Sequence, residues 1–189
     1  QTMNPSTEDI LNAADKINAD TIFVLPNNSN IILASNQAAS IIEDKKLIVI
    51  PTKTIPQGIT AMINFELTRS ADENEKAMLE SLSTVKSGQL TYAVRDTSID
   101  GKEIKKDNYL GLGDNGLASV GTDMDDTLID MLSEFVDDES ELISVYYGED
   151  IDENKAEELV YKIEEKFDGV DVELQYGGQP VYYYIVSVE

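Results

Sequence analysis

The chain has 189 residues, 41% of them hydrophobic, with 14 Lys and Arg against 37 Asp and Glu and a net charge of −23. It contains no Cys and no His, which excludes disulfides, thiolate metal sites and Ser–His or Cys–His catalysis within these residues. The length suits one sizeable core or two small ones, no apolar run reaches the roughly 18–20 residues of a membrane span, and the negative field disfavours nucleic acid and anionic membranes.

In chain order, Pro5 reads as the residue before a helix, with Ser6 as N-cap and Asp9 three positions on as a shortened capping box. Ile10, Leu11, Ala14 and Ile17 recur at helical spacing through Asn18. Thr21–Leu25 is a strand stopped by Pro26. Asn28 or Ser29 caps a helix running from Ile31 to about Glu43. Leu47-Ile48-Val49-Ile50 is a buried strand that empties into a polar loop, Pro51 to Gln57, with the next helix expected after the Pro56-Gln57-Gly58 turn. Helix–strand–helix–strand with short connections implies parallel strands and half of a doubly wound sheet. Asp72–Val85 forms a further helix with acids in its first turn.

From Ser87 the pattern changes to short strands. Gln89–Asp96 is rich in β formers, and Asp100-Gly101 and Asn115-Gly116 are hairpin signals. Thr122 is expected to cap a helix from Asp123 to about Val136. Leu142–Tyr147 is a strand, Asp152–Phe167 a helix closed by Gly169, and Val170–Tyr176 and Val181–Val188 are the final strands, joined by Gly177-Gly178-Gln179-Pro180. The expected fold class is α/β with two subdomains: a Rossmann-like parallel-sheet half over 1–70, a connecting helix over 71–86, and a mixed-sheet α/β half over 87–189.

Three polar loops are expected at one strand edge: Thr2, Asn4 and Ser6; Asn27 and Asn28; and Thr52, Lys53, Thr54 and Gln57. Helix N-termini with one adjacent cation suit a carboxylate or phosphate, or a partner surface; equally, such residues are ordinary loop and cap residues. No phosphate-loop or dinucleotide fingerprint is present. The charge is uneven, with 3 Lys and Arg against 21 Asp and Glu over residues 121–189. These acids lack calcium-loop spacing and read as a solvated face, so no metal site is expected. Tyr182-Tyr183-Tyr184 reads as strand packing, with a contact surface as the sharper alternative. Arg95, one of two arginines, is a candidate partner contact. The start at Gln1 is read as that of a piece of a longer protein.

Gln1-Thr2-Met3-Asn4-Pro5-Ser6, Leu25-Pro26-Asn27-Asn28, Pro51-Thr52-Lys53-Thr54-Ile55-Pro56-Gln57-Gly58, Thr91 to Thr97 with Ile99-Asp100-Gly101, and Gly177-Gly178-Gln179-Pro180 with Ser187-Val188-Glu189 resemble the C-terminal region of the fatty acid kinase A family, also called dihydroxyacetone-kinase-like proteins. The family's first motif usually opens with two glycines before the position of Gln1. The resemblance implies a DegV-like fold and a cytoplasmic kinase whose other domains bind ATP and Mg²⁺ and phosphorylate a fatty acid for phospholipid synthesis. It implies no cofactor and no catalytic residue in this segment. The implied partners are a DegV-like fatty-acid-binding protein, the other domains of the same kinase and a second copy in a homodimer. The ligand- or partner-binding candidates become Thr2, Asn4, Ser6, Asn27, Asn28, Thr52, Lys53, Thr54, Gln57, Arg95, Gly177, Gly178 and Gln179. DegV proteins tend to carry a His near the last Gly-rich turn, where Gln175-Tyr176-Gly177-Gly178 has none. The other reading is a small-acid or fatty-acid binding domain in its own right.

Overall fold

The structure, a computed structural model, describes residues 4–99 and 101–189. The chain divides into two compact units, Gln1–Val85 and Lys86–Glu189.

In the first unit, α1 (Thr7–Asp15), β1 (Thr21–Val24), α2 (Ser29–Ile41), β2 (Lys46–Val49), α3 (Ile55–Ile63) and α4 (Ala71–Ser81) follow one another. β1 and β2 pair in parallel, Ile22 opposite Leu47 and Val24 opposite Val49. Side-chain alternation then feeds two cores. Ile22 and Leu47 pack with Ala14 of α1 and Ala38 of α2, while Ile48 and Ile50 pack with Ala61 of α3 and Met78 of α4. Phe23 and Phe65 meet edge to face at 5.6 Å in the second of these layers.

Two expectations are corrected here. The α3 helix starts at Ile55 rather than after Gly58, because Thr54 caps it and Pro56 sits in its first turn, where a missing N–H costs no hydrogen bond. The helix over 71–81 is not a connector. Fully buried Met78 locks it into the second core, and Asn74, also buried, bonds the Glu66 N–H, the Glu66 carbonyl and the Arg69 carbonyl. Its N-terminus carries a complete capping box that sequence inspection missed, with Ser70 and Glu73 exchanging bonds.

The second unit is built on a six-stranded sheet: β3 (Lys86–Tyr92), β6 (Tyr109–Gly113), β7 (Gly116–Gly121), β8 (Leu142–Tyr147), β9 (Asp171–Tyr176) and β10 (Tyr184–Val188), in the order β7-β6-β3-β10-β8-β9. Only β8–β9 is parallel; the other neighbours are antiparallel. A small hairpin, β4 (Thr97–Ile99) and β5 (Lys102–Ile104), brings Ile104 against Ala93 and Leu110. The turn residue Gly101 has φ +78, which glycine adopts without a Cβ clash. Helices α5 (Met124–Phe135) and α6 (Glu153–Lys166) bury Leu128, Met131, Leu132, Leu159 and Ile163 against Val145, Tyr184, Val186 and Val188 of the sheet. Asp123, not Thr122, caps α5: its carboxylate accepts the Asp126 N–H at 3.0 Å.

Close approach of α5 depends on three glycines of the sheet. A Cβ on Gly88 would lie 2.7 Å from the Met131 sulfur, and one on Gly113 2.8 Å from the Phe135 ring. One on Gly111 would lie 2.2 Å from the Ser119 hydroxyl, which itself donates to the Thr127 carbonyl at 2.6 Å. Gly111→Ala should therefore lower stability by about 1–3 kcal/mol through overpacking. Gly58→Ala, where a Cβ on the same scale meets nothing within 4 Å, should raise it by roughly 0.4–1 kcal/mol. Urea unfolding of the two variants followed by far-ultraviolet circular dichroism reads both signs.

Candidate functional site

The described polar loop residues of the first unit gather at the carboxyl ends of β1 and β2, and most of their side chains are used by the unit's own backbone. Ser6 caps α1: its hydroxyl accepts the Asp9 N–H at 3.1 Å, and the Asp9 carboxylate accepts the Ser6 N–H at 2.8 Å. Asn28 caps α2 through its carbonyl oxygen, which accepts from Asn30 and Ile31 at 3.0 and 3.1 Å, while its amide reaches Asn4 at 3.3 Å. Asn27 is exposed. The Thr52 hydroxyl is fully buried and donates to the Pro26 carbonyl, tying the β2 loop to the β1 loop. Thr54 accepts the Gln57 N–H at 3.3 Å, and the Gln57 side chain accepts the Lys53 N–H at 2.8 Å. These bonds shape the loops and leave the Lys53 side chain exposed. Thr2 lies outside the described residues.

Beside these loops is a feature the sequence reading did not single out. Leu25, Pro26, Asn27 and Thr54 join the outer face of α3 around an apolar groove of about 450 Å³. Ile55, Ile59, Met62 and Ile63 are all exposed, Ile63 by 74%. Their i, i+4, i+7, i+8 spacing is a helical stripe facing away from the core. It becomes legible only once the helix is started at Ile55, because an α3 that began after Gly58 would hold one turn of it.

The remaining candidates belong to the second unit. Arg95 is exposed in the loop between β3 and β4. Gly177 and Gly178 form a turn that folds on itself: the Gln179 side chain crosses Gly177 and donates to the Tyr146 carbonyl at 2.9 Å and the Tyr182 carbonyl at 3.3 Å. The Tyr176 ring lies over Gly178, whose φ is +62. Gln179 thus holds the loop together from inside. The acidic runs of 121–189 are partly structural too. Asp123 and Asp152 cap helices, Asp125 pairs with Lys162 and Asp137 with Lys86. Among the described residues no three Asp or Glu side chains stand close enough to hold a metal ion together, and no helix is long and apolar enough to cross a membrane.

Two units, a parallel α/β piece and a mixed six-stranded sheet, are the architecture of DegV proteins. The structure superposes with a TM-score of 0.71 on the DegV family protein Cg2579 of Corynebacterium glutamicum, covering 98% of this chain and 83% of that one at 11% identity. It superposes with a TM-score of 0.66 on the Streptococcus pneumoniae fatty acid kinase B3 protein loaded with linoleic acid, at 15% identity over 98% of this chain and 76% of that one. The dihydroxyacetone kinase of C. freundii aligns at 0.61 and 12% identity, over 97% of this chain and 41% of that enzyme. These likenesses define the fold. The family is given by sequence: residues 1–189 match the model of the FakA-like C-terminal family of fatty acid kinases, and the chain belongs to it. It is 47% identical over all 189 residues to protein YloV of Bacillus subtilis and 46% identical to the uncharacterized protein SAR1202 of Staphylococcus aureus. In both cases it spans 34% of the relative's length.

The Ser6–Asp9 box makes a pH-dependent contribution. Hydrogen bonds from the Ser6 backbone and hydroxyl hold the Asp9 carboxyl below its ordinary range. A lowered native value means the contribution is fully present above the unfolded value and is lost as the pH falls through the native one. Asp9→Ala should therefore be less stable than the parent at neutral pH, and thermal melts of the two proteins should converge below the ordinary aspartate range.

Proposed function

We propose that this chain is the non-catalytic docking domain of a bacterial fatty acid kinase. It engages an acyl-carrying DegV-like protein while the kinase's other domains, with ATP and Mg²⁺, phosphorylate the bound fatty acid. One observation carries this reading most directly. The strand-end loops of the first unit expend Ser6, Asn28, Thr52, Thr54 and Gln57 on their own backbone, leaving a shaped surface with an exposed lysine. The absence of His, Cys and a phosphate loop from the sequence supports it, as does membership in the FakA-like C-terminal family. Lys53, Arg95 and the exposed Asn27 are the proposed contacts.

The chain should bind an acyl-loaded DegV-like protein saturably in isothermal titration. Lys53→Ala and Arg95→Ala should each weaken binding about two- to fivefold, as for an exposed ion pair of roughly 0.5–1 kcal/mol. A full-length kinase that keeps its whole affinity for that partner after deletion of this domain would overturn the reading.

The α3 groove favours a second reading, in which the domain itself holds a fatty acid. Its apolar walls and about 450 Å³ are of the size of small-molecule sites, and a structural neighbour is loaded with linoleic acid. Native mass spectrometry of freshly purified protein then shows a lipid adduct that Ile59→Asp removes. Lack of both an adduct and binding of added linoleic acid eliminates this alternative.

A further inference from the structure

One end of the second unit's sheet is lined with tyrosine. The parallel strands β8 and β9 finish there, at Tyr147 and Tyr176, directly opposite each other. β10 and β6 begin there, at Tyr184 and Tyr109, and β3 finishes there at Tyr92. Tyr184 is fully in the core, with 1% exposure. Around it the rings form two groups. Tyr92 and Tyr109 both lean on Tyr183, with centroids 5.9 and 5.8 Å apart, and Tyr176 leans on Tyr147 at 5.2 Å. Tyr183 lies outside strict strand alternation, since β10 begins only at Tyr184 and Val181 just before it has φ +73.

Strand tyrosines usually serve packing, and Tyr147 and Tyr184 do. Tyr92 and Tyr176 do not, being 42% and 66% exposed. Their rings offer open π faces, negative at the centre and rigid enough to anchor a contact at small entropic cost. Carboxylates surround them. Burial, then the charges of Glu153, Glu157 and Asp152 with the Tyr176 phenol, push Tyr147 up. Burial, the two neighbouring phenols and Asp150 do the same for Tyr183. Both phenols therefore stay neutral at physiological pH, and the fixed charge beside the rings is that of the acids. The unit as a whole carries 8 Lys and Arg against 26 Asp and Glu, a net of −18, whereas the first unit carries −5. A planar guanidinium matches such a surface on both counts: it stacks on aromatic faces and pairs with carboxylates in a fork.

We propose that this tyrosine-lined end is a docking surface for an arginine-bearing segment of the acyl-carrying DegV-like protein, a proposal that rests on the docking reading above. Exposed Tyr92 and Tyr176 are the anchors, and the carboxylates at the start of α6 give the surface its preference for cations. Arg95, three residues past Tyr92, marks its margin.

Titration calorimetry on the 189-residue chain tests it, with circular dichroism as the control for folding. Tyr92→Ala combined with Tyr176→Ala should weaken binding of the acyl-loaded partner at least about tenfold, the loss of two anchor residues. The corresponding Tyr→Phe pair should keep it, and added salt should weaken the parent complex. A folded double-alanine variant that binds like the parent overturns the surface while leaving the docking reading intact. If the parent does not bind the partner at all, the docking reading fails, and a hexa-arginine peptide then decides the surface. A loss of about tenfold or more in the double-alanine variant supports it, and equal binding, signifying only general attraction to an acidic protein, overturns it.

Discussion

The last strand holds the second unit together. β10 lies in the middle of the sheet, with β3 on one side and β8 on the other, and all five of its residues are buried. Without it the sheet separates into a β7-β6-β3 meander and a β8-β9 pair, each closed by local connections. Val188 faces Lys86 on one side and Ile143 on the other, so the pairing that unites the unit joins its two chain ends. Such a contact comes with a large loop-closure cost and only then gives its burial. The tyrosine-lined end follows from the same topology. With β10 antiparallel to both neighbours and β8 parallel to β9, five strands must start or finish at one edge.

The first unit solves a different problem with less material. Two parallel strands cannot bury themselves, and here each face is covered by a helix pair, with Ile22 and Leu47 serving one layer and Ile48 and Ile50 the other. Covering both faces requires strands that are apolar on both sides, which is why Leu47 to Ile50 shows no alternation. It also places both loops after the strands at one edge. Their polar side chains are then recruited as caps, because the N-termini of α2 and α3 begin within a few residues of the strand ends and their N–H groups need partners.

Much of this was legible in the sequence where the signal is local. The Ser6–Asp9 box, the strand Leu47–Ile50, the Asn115-Gly116 hairpin and the helix over 153–166 rest on contacts within a few residues. Failures occurred where the deciding contact is distant or ambiguous. Pro56 is equally consistent with a turn and with the first turn of a helix, and only the Thr54 cap resolves it. The 71–81 helix resembled a connector because its mean polarity is high; the one residue that fixes it, Met78, is matched to a core 28 residues earlier at Ile50. The glycines at 88, 111 and 113 resembled ordinary strand weaknesses, and only the seating of α5 on them explains their placement. Of the candidate site, the residue types were legible but their use was not. Polar loops can be read from residue types alone, whereas only the hydrogen-bond partners reveal that most of those groups are already engaged.

That distinction separates chemistry from recognition. A catalytic side chain has to leave donor or acceptor capacity for a substrate, held at a geometry fixed by other groups. At these strand ends the relation is reversed: Thr52, Thr54 and Gln57 do the holding, and the loop backbone is what they hold. What faces outward is instead suited to contact, an apolar stripe on α3 in one unit and half-exposed tyrosines among carboxylates in the other. Neither surface depends on a titrating base near neutral pH, so a chain without histidine loses nothing by using them. The burden of phosphoryl transfer then falls on groups elsewhere in a kinase of which this chain spans about a third of the length of its relatives, and selection on this segment acts through shape and charge at its surface.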